Sequence, residues 1–196
     1  MLNSPAQWRS RRECLVDLDA TPDDEARQFL RAKRESFERS LKQTAVTVCI
    51  MGGAGANLRR RKALAQVLSN DGFEAFVPED DPTYQQAAFE RFMLREPDLD
   101  LLVLFPESPG SYDEYGTFAH DPEISSKLRV VVPAKYHPIY GKDPGSYLSS
   151  DYMTFIGRYG HCYPSTPEDP AECEWSDGDS IVRKITQWYR TAKATP

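Results

Sequence analysis

Four apolar runs punctuate the chain, and each has the length and residue types of a buried β-strand. They are Ala45–Met51, Phe73–Val77, Leu99–Phe105 and Leu128–Pro133, the last dense in β-branched residues. Between them the period changes to that of helices. Ala26, Phe29, Leu30, Phe37 and Leu41 share one side of a helix predicted from about Thr21 to Lys42. Thr21 caps it, Pro22 stands in its first turn and acids face its dipole. Leu64, Val67 and Leu68 dock a second helix, which Asn70-Asp71-Gly72 ends. Ala88, Phe89, Phe92 and Met93 mark the buried side of a third, about Tyr84 to Glu96, terminated by Pro97. A fourth is predicted to start at Tyr112, after a tight Pro109-Gly110 turn and with Ser111 as its cap. A last helix over about Asp179 to Lys193 packs through Ile181, Val182, Ile185, Trp188 and Tyr189. The order β-α-β-α-β-α-β predicts an α/β domain with a doubly wound parallel sheet over residues 45–196, and residues 1–44 form an N-terminal helical extension. From Lys135 to Pro164 the chain turns aromatic. Here a short strand near Arg158–Tyr163 is expected with a lid over the crevice, or else a loop packing its rings on the core.

Two strand-to-helix junctions carry candidate chemistry. The first strand empties into Gly52-Gly53-Ala54-Gly55-Ala56-Asn57, a turn in which backbone N–H groups can approach a phosphate or sugar. The GxGxxG fingerprint is incomplete, with Leu58 in its last position, and Pro78 follows the second strand where a dinucleotide fold has its acid; a Rossmann dehydrogenase is discounted. Arg59, Arg60, Arg61 and Lys62 then crowd a first helical turn that disfavours cations. Either an anion is held there or the four fan into water, with one or two facing the crevice. The second junction follows Leu99–Phe105. It places Glu114 early in a helix just beyond the carboxyl end of a strand, where open parallel sheets bind ligands. Glu79 and Asp80, after the second strand, share that rim, either as sugar ligands or as a solubilising loop. A rim carboxylate with a glycine turn and further acids suits cleavage of an N-glycosidic bond, in which positive charge develops at the anomeric carbon. The plain structural alternative is that Glu114 matches the helix dipole.

Composition removes several other classes. A net charge of -6 and a pI near 5.2 argue against indiscriminate nucleic-acid binding and leave room for a local basic patch. Arg27, Arg31, Lys33, Arg34, Arg39 and Lys42 make such a patch on the first helix, as a solvated face or as a contact for a polyanionic partner. Four cysteines without a CxxC pair suit a reducing cytosol, and no apolar run reaches membrane-spanning length, so a cytoplasmic protein with no membrane contact is expected. Three histidines outside HExxH or CxxC settings give no metal signal, and neither a Walker loop nor a GxSxG elbow is present.

The run Ser108-Pro109-Gly110-Ser111-x-x-Glu114-x-Gly116-x-x-Ala119, set between two apolar strands, resembles the nucleoside 2-deoxyribosyltransferase-like superfamily. More narrowly, Leu104–Ser111, Pro78-Glu79-Asp80 and Phe118-Ala119-x-Asp121-Pro122-Glu123-Ile124-Ser125 resemble retron-associated antiphage effectors of that kind. The resemblance covers about Val46 to Tyr163. It implies a flavodoxin-like (Rossmann-like) parallel sheet flanked by helices, and Glu114 as the catalytic carboxylate. Gly52, Gly53, Gly55, Glu79, Asp80, Ser108, Gly110 and Ser111 would then be substrate-binding. The implied activity is that of an N-glycosidase or deoxyribosyltransferase-like toxin. It would act on a nucleoside, nucleotide or NAD without a cofactor, as a homo-oligomer, beside a reverse transcriptase carrying an RNA–DNA hybrid. The alternative is a non-catalytic nucleotide-sensing module that signals to a partner protein. Tyr115 stands where that superfamily usually has Leu, a packing change beside the Glu.

Overall fold

The computed structural model describes residues 24–81, 87–139, 141, 147–165 and 176–195. The chain divides into two compact units, one up to Ser40 and one from Leu41 onward. The described part of the first unit is most of helix α1, Asp24–Gln43. Its predicted cap, Thr21, lies outside the described residues. Along α1 Arg34 Nε donates to Glu38 Oε1 over 2.9 Å, an exposed pair one turn apart worth a few tenths of a kcal/mol.

The second unit is a five-stranded parallel sheet of β1 (Thr47–Gly52), β2 (Glu74–Phe76), β3 (Leu101–Phe105), β4 (Leu128–Pro133) and β5 (Cys162–Ser165). The spatial order is β2-β1-β3-β4-β5, so the chain reverses its direction of travel across the sheet between β1 and β3. Every residue of β3 and β4 is buried, as expected where both faces of a parallel sheet are covered. Helices α2 (Ala56–Asn70) and α7 (Ser176–Ala194) cover one face, where Leu64, Leu68, Val182 and Ile185 meet Val48, Ile50, Val103 and Val131. On the other face, α3 (Ala87–Arg95), α4 (Pro109–Ala119), the short α5 (Pro122–Ser125) and α6 (Tyr147–Tyr159) place Leu94, Phe118, Ile124 and Tyr152 against Cys49, Leu102, Leu104 and Val130. Each fully buried aliphatic side chain contributes about 2 kcal/mol.

The amino end of the sheet is held by Asp100. It accepts from the backbone N–H of Thr47 over 3.0 Å, from Tyr189 Oη over 3.2 Å and from Lys193 Nζ over 2.8 Å. The carboxyl end, where the loops and first helical turns gather, is left to carry the site.

Several predicted elements are corrected. The aromatic stretch holds a 13-residue helix, α6, because Tyr152 and Phe155 on one side of it enter the core and outweigh the weak helix propensity of aromatic residues. The strand after it is Cys162–Ser165 rather than one reaching back to Arg158. On α2 Ala65 is buried while Val67 is 39% exposed, and on α3 Leu94 is buried while Phe92 is 66% exposed. Trp188 of α7 is 69% exposed, so this helix packs through Val182 and Ile185 instead.

Candidate active site

The turn that delivers Glu114 is built differently from the one predicted. Helix α4 starts at Pro109, three residues early, because Ser108 is the better cap: its hydroxyl accepts from the backbone N–H of Ser111, and proline suits the first helical position. Ser111 is therefore the third helical residue. Its Oγ accepts from the backbone N–H of Glu107 and of Ser108, each over 2.9 Å, and donates to the carbonyl of Ser108 over 3.0 Å. At 2% exposure, Ser111 is occupied with holding the turn. The next residue after Glu114, Tyr115, anchors the helix. Its ring meets Tyr152 edge-on at 5.0 Å and Phe155 at 6.0 Å, and its hydroxyl donates to the carbonyl of Asp151 over 3.4 Å. The departure from Leu at this position is absorbed by a cluster of aromatic contacts.

Glu114 is half-buried, and its Oε2 is buried with no hydrogen-bond partner. Leaving a buried carboxylate oxygen unsatisfied costs free energy, and such groups gather where a ligand or a reaction needs them. Burial is the main cause that raises its pKa, to about 7. The negative charges of Glu90 and Glu79 add to the rise, the guanidinium of Arg61 opposes it, and Asp113 contributes a further small rise. Glu90, from α3, is itself pushed upward by burial and by Glu79. Cys49 lies below this group, fully buried, with its thiol held well above its ordinary value by burial and by Glu90. A thiol so placed stays protonated and is a poor nucleophile.

Arg61 is the residue that turns inward from the run of four cations. It is 3% exposed and donates through Nη1 to the carbonyl of Ile50 (3.1 Å) and through Nη2 to that of Gly53 (2.9 Å). The same two nitrogens hold Glu79, at 3.2 Å and 2.6 Å, in a bidentate pair. Both oxygens of Glu79 are thus engaged by Arg61, and Asp80 is paired with Lys62. Arg60 is paired with Asp179 at 3.6 Å. A signal for Arg61 was present in the sequence. It stands three, four and seven residues before Leu64, Ala65 and Leu68, all buried, so the phase of α2 carries it to the sheet. Glu90 was overlooked, although it stands three and four residues before Met93 and Leu94 on the inward side of α3.

The glycine turn splits into residues with different duties. Gly52 closes β1 with φ +151°, and a Cβ there would lie 2.7 Å from the carbonyl oxygen of Phe105. It permits close approach of β1 to β3. Gly53 faces the second junction, since a Cβ on it would come 3.4 Å from both Glu107 Oε2 and Asn57 Nδ2. Gly55 caps α2 with φ +70°, in open space. Gly110 also has nothing within 4 Å of a built Cβ. It lies one turn before Glu114, on the side toward which a helical side chain leans. A shallow crevice opens beside this turn, lined by Asn57, Arg60, Arg61 and Leu64 of α2, by Phe105 at the end of β3, and by Glu107 and Asp179. It lies on the α2/α7 side of the sheet, whereas Glu114 stands on the α4 side. The strand order reverses between β1 and β3, the usual ligand position in this class of sheet.

Among the described residues no group of three or more histidine, cysteine or acidic side chains is placed to hold a metal ion, and no helix is long and apolar enough to cross a membrane. The comparisons point to one biological setting. A protein of Escherichia coli, the "Retron Ec86 putative ribosyltransferase/DNA-binding protein", is 32% identical over 101 residues. The match covers 46% of this chain and 32% of that protein, about a third of its length. Residues 58–140, which include Arg61, Glu79, Glu90, Glu107 and Glu114, match the family model described as STM3845 retron effector protein, and both likenesses are to retron-associated proteins.

Proposed function

We propose that this chain is a retron effector whose α/β unit cleaves the N-glycosidic bond of a nucleoside, nucleotide or NAD. Glu114 acts as nucleophile or as charge partner of the developing cation. The observation that carries the reading is the half-buried, unpartnered carboxylate of Glu114 at the carboxyl end of β3, with a pKa of about 7. In the nucleophilic form, a Glu114 oxygen bonds to the anomeric carbon while the C–N bond breaks and its electron pair leaves with the base. A base leaving a neutral nucleoside or nucleotide takes a proton from solvent, whereas nicotinamide leaves NAD already neutral. Water, or a second base, then displaces Glu114 from the sugar. Gly53 and Gly55 leave room for phosphate or base beside the first turn of α2, and Ser108 and Gly110 flank the sugar. Gly52 shapes the turn, and Glu79 and Asp80 act through Arg61 and Lys62. The likeness to retron proteins supports a toxin role and association with a reverse transcriptase and its RNA–DNA hybrid. Arg27, Arg31 and Arg34 of α1 are the cations proposed to meet that hybrid, in a homo-oligomer. Incubation with a nucleotide and NAD pool, followed by mass spectrometry of free bases, tests the activity. Binding without base release would favour the sensing module instead.

The ionisation of Glu114 gives a pH dependence of known sign. The carboxylate must be anionic to attack and is protonated below its pKa, so turnover is expected to rise with pH through a midpoint near 7. A profile flat from pH 5 to pH 9 would remove Glu114 from the chemical step.

Gly110→Ala separates access from folding. Alanine in an exposed helical position stabilises by about 0.5–1 kcal/mol, whereas a methyl group in front of Glu114 intrudes where the sugar must lie. The expected variant melts slightly higher than wild type and loses roughly tenfold or more in kcat/KM. Undiminished turnover would place the sugar elsewhere.

A further inference from the structure

Arg61 is a charge set deep in the carboxyl end of the sheet; its Nη1 and Nη2 are bonded, while its Nε is buried with no hydrogen-bond partner. Its bonds reach three separate pieces of chain: the end of β1 at Ile50, the glycine turn at Gly53 and the turn after β2 at Glu79. A lysine offers one point charge and cannot span all three. The charged groups acting on Glu114 come from four elements. They are Glu90 on α3, Glu79 in the short 3₁₀ turn Pro78–Asp80, Asp113 on α4 itself and Arg61 on α2. Three of these are acids, and Arg61 is the cation set among them.

We propose that Arg61 is a positioning residue for Glu114. Its guanidinium fixes the Gly52–Gly53 turn against Glu79 and supplies the positive charge that keeps an acid-crowded carboxylate available for attack. This rests on the reading of Glu114 as the reacting group, and it adds a cause for its readiness. The glycine turn joins β1 to α2, whereas Glu114 stands on α4 after β3. One buried side chain therefore couples the shape of the ligand turn to the ionisation of the nucleophile.

The test is a carbon-13 NMR titration of the Glu114 carboxyl in the full chain, assigned by its loss in Glu114→Gln. It compares wild type, Arg61→Met and Arg61→Lys, with KM measured in parallel. Arg61→Met is expected to move the Glu114 midpoint up by about one pH unit, the low end for loss of an opposite charge nearby. It should also displace the acid limb of the rate profile in the same direction. Arg61→Lys keeps the charge, so its midpoint stays within a few tenths of wild type while KM rises severalfold as the turn loosens. A folded Arg61→Met protein with the wild-type midpoint overturns the proposal. Should Arg61→Met fail to fold, Glu79→Gln decides. Removing that acid and releasing Arg61 from it must lower the Glu114 midpoint, and an unmoved midpoint overturns the coupling. The titration needs no turnover, so an active Glu114→Gln enzyme would end the catalytic reading without touching the electrostatic result.

Discussion

Glu114→Gln is expected to abolish base release, with a loss on the order of a thousandfold or more, and at the same time to make the protein more stable at pH 8. The two effects have one origin. The amide has the shape of the carboxylate but neither its nucleophilicity nor its charge, so the chemical step fails while the packing of Tyr115 and Phe118 is undisturbed. The stability effect follows from linkage. The folded-state pKa, about 7, stands above the ordinary carboxylate value, so folding favours the protonated form. The associated stability is complete at low pH and is lost as pH rises through 7. At pH 8 the wild type therefore holds an anion in a half-buried, acid-lined position, which glutamine removes. With the partial exposure of Glu114 discounted for solvent screening, the gain is about 1–2 kcal/mol. A second-unit melt some degrees above wild type at pH 8, converging with it at pH 4, is the expected record. A fully active Glu114→Gln protein, or one less stable at pH 8, would contradict it.

The second large effect is structural. Gly52→Val is expected to destabilise the fold by about 3–5 kcal/mol, a large part of the stability of a typical domain. Two costs combine. A φ of +151° is strained for a side-chain-bearing residue, and the Cβ would stand 2.7 Å from the carbonyl oxygen of Phe105, which is backbone and cannot swing away. In the sheet Gly52 pairs directly with Phe105, so relief would pull apart β1 and β3 at the point where the site is assembled. Gly55→Ala is the control. Its φ of +70° costs about 1 kcal/mol, and its Cβ meets nothing within 4 Å. Thermal melts should separate the two, with Gly52→Val falling by about 10 °C and Gly55→Ala by only a few. Equal melting temperatures would mean that the β1–β3 contact is not tight.

The architecture was legible in the sequence wherever the cause is local. The apolar runs announced β1 to β4, because strands buried on both faces must be apolar along their length and end at glycine or proline. Alternation of strand and helix implied a parallel sheet, since parallel neighbours need a crossover. Glu114 could be placed one helix after a strand for the same reason. Where several local signals competed, boundaries moved: Ser108 took the cap from Ser111 because its geometry closes a reciprocal pair of hydrogen bonds around Pro109.

What only the tertiary structure decided depends on groups far apart in the chain. Four consecutive cations look alike in sequence; the phase of α2 against the sheet selected Arg61 for burial and paired Arg60 and Lys62 with acids nearer the surface. In sequence Glu79 is a candidate sugar ligand; the structure adds that both its oxygens are held by Arg61, eighteen residues earlier. The ionisation of Glu114 is set by burial together with Glu90 and Glu79 across other elements. Periodicity reports which face of a helix is apolar. Charge interactions depend on distance through space, and that distance exists only once the helices have docked on the sheet.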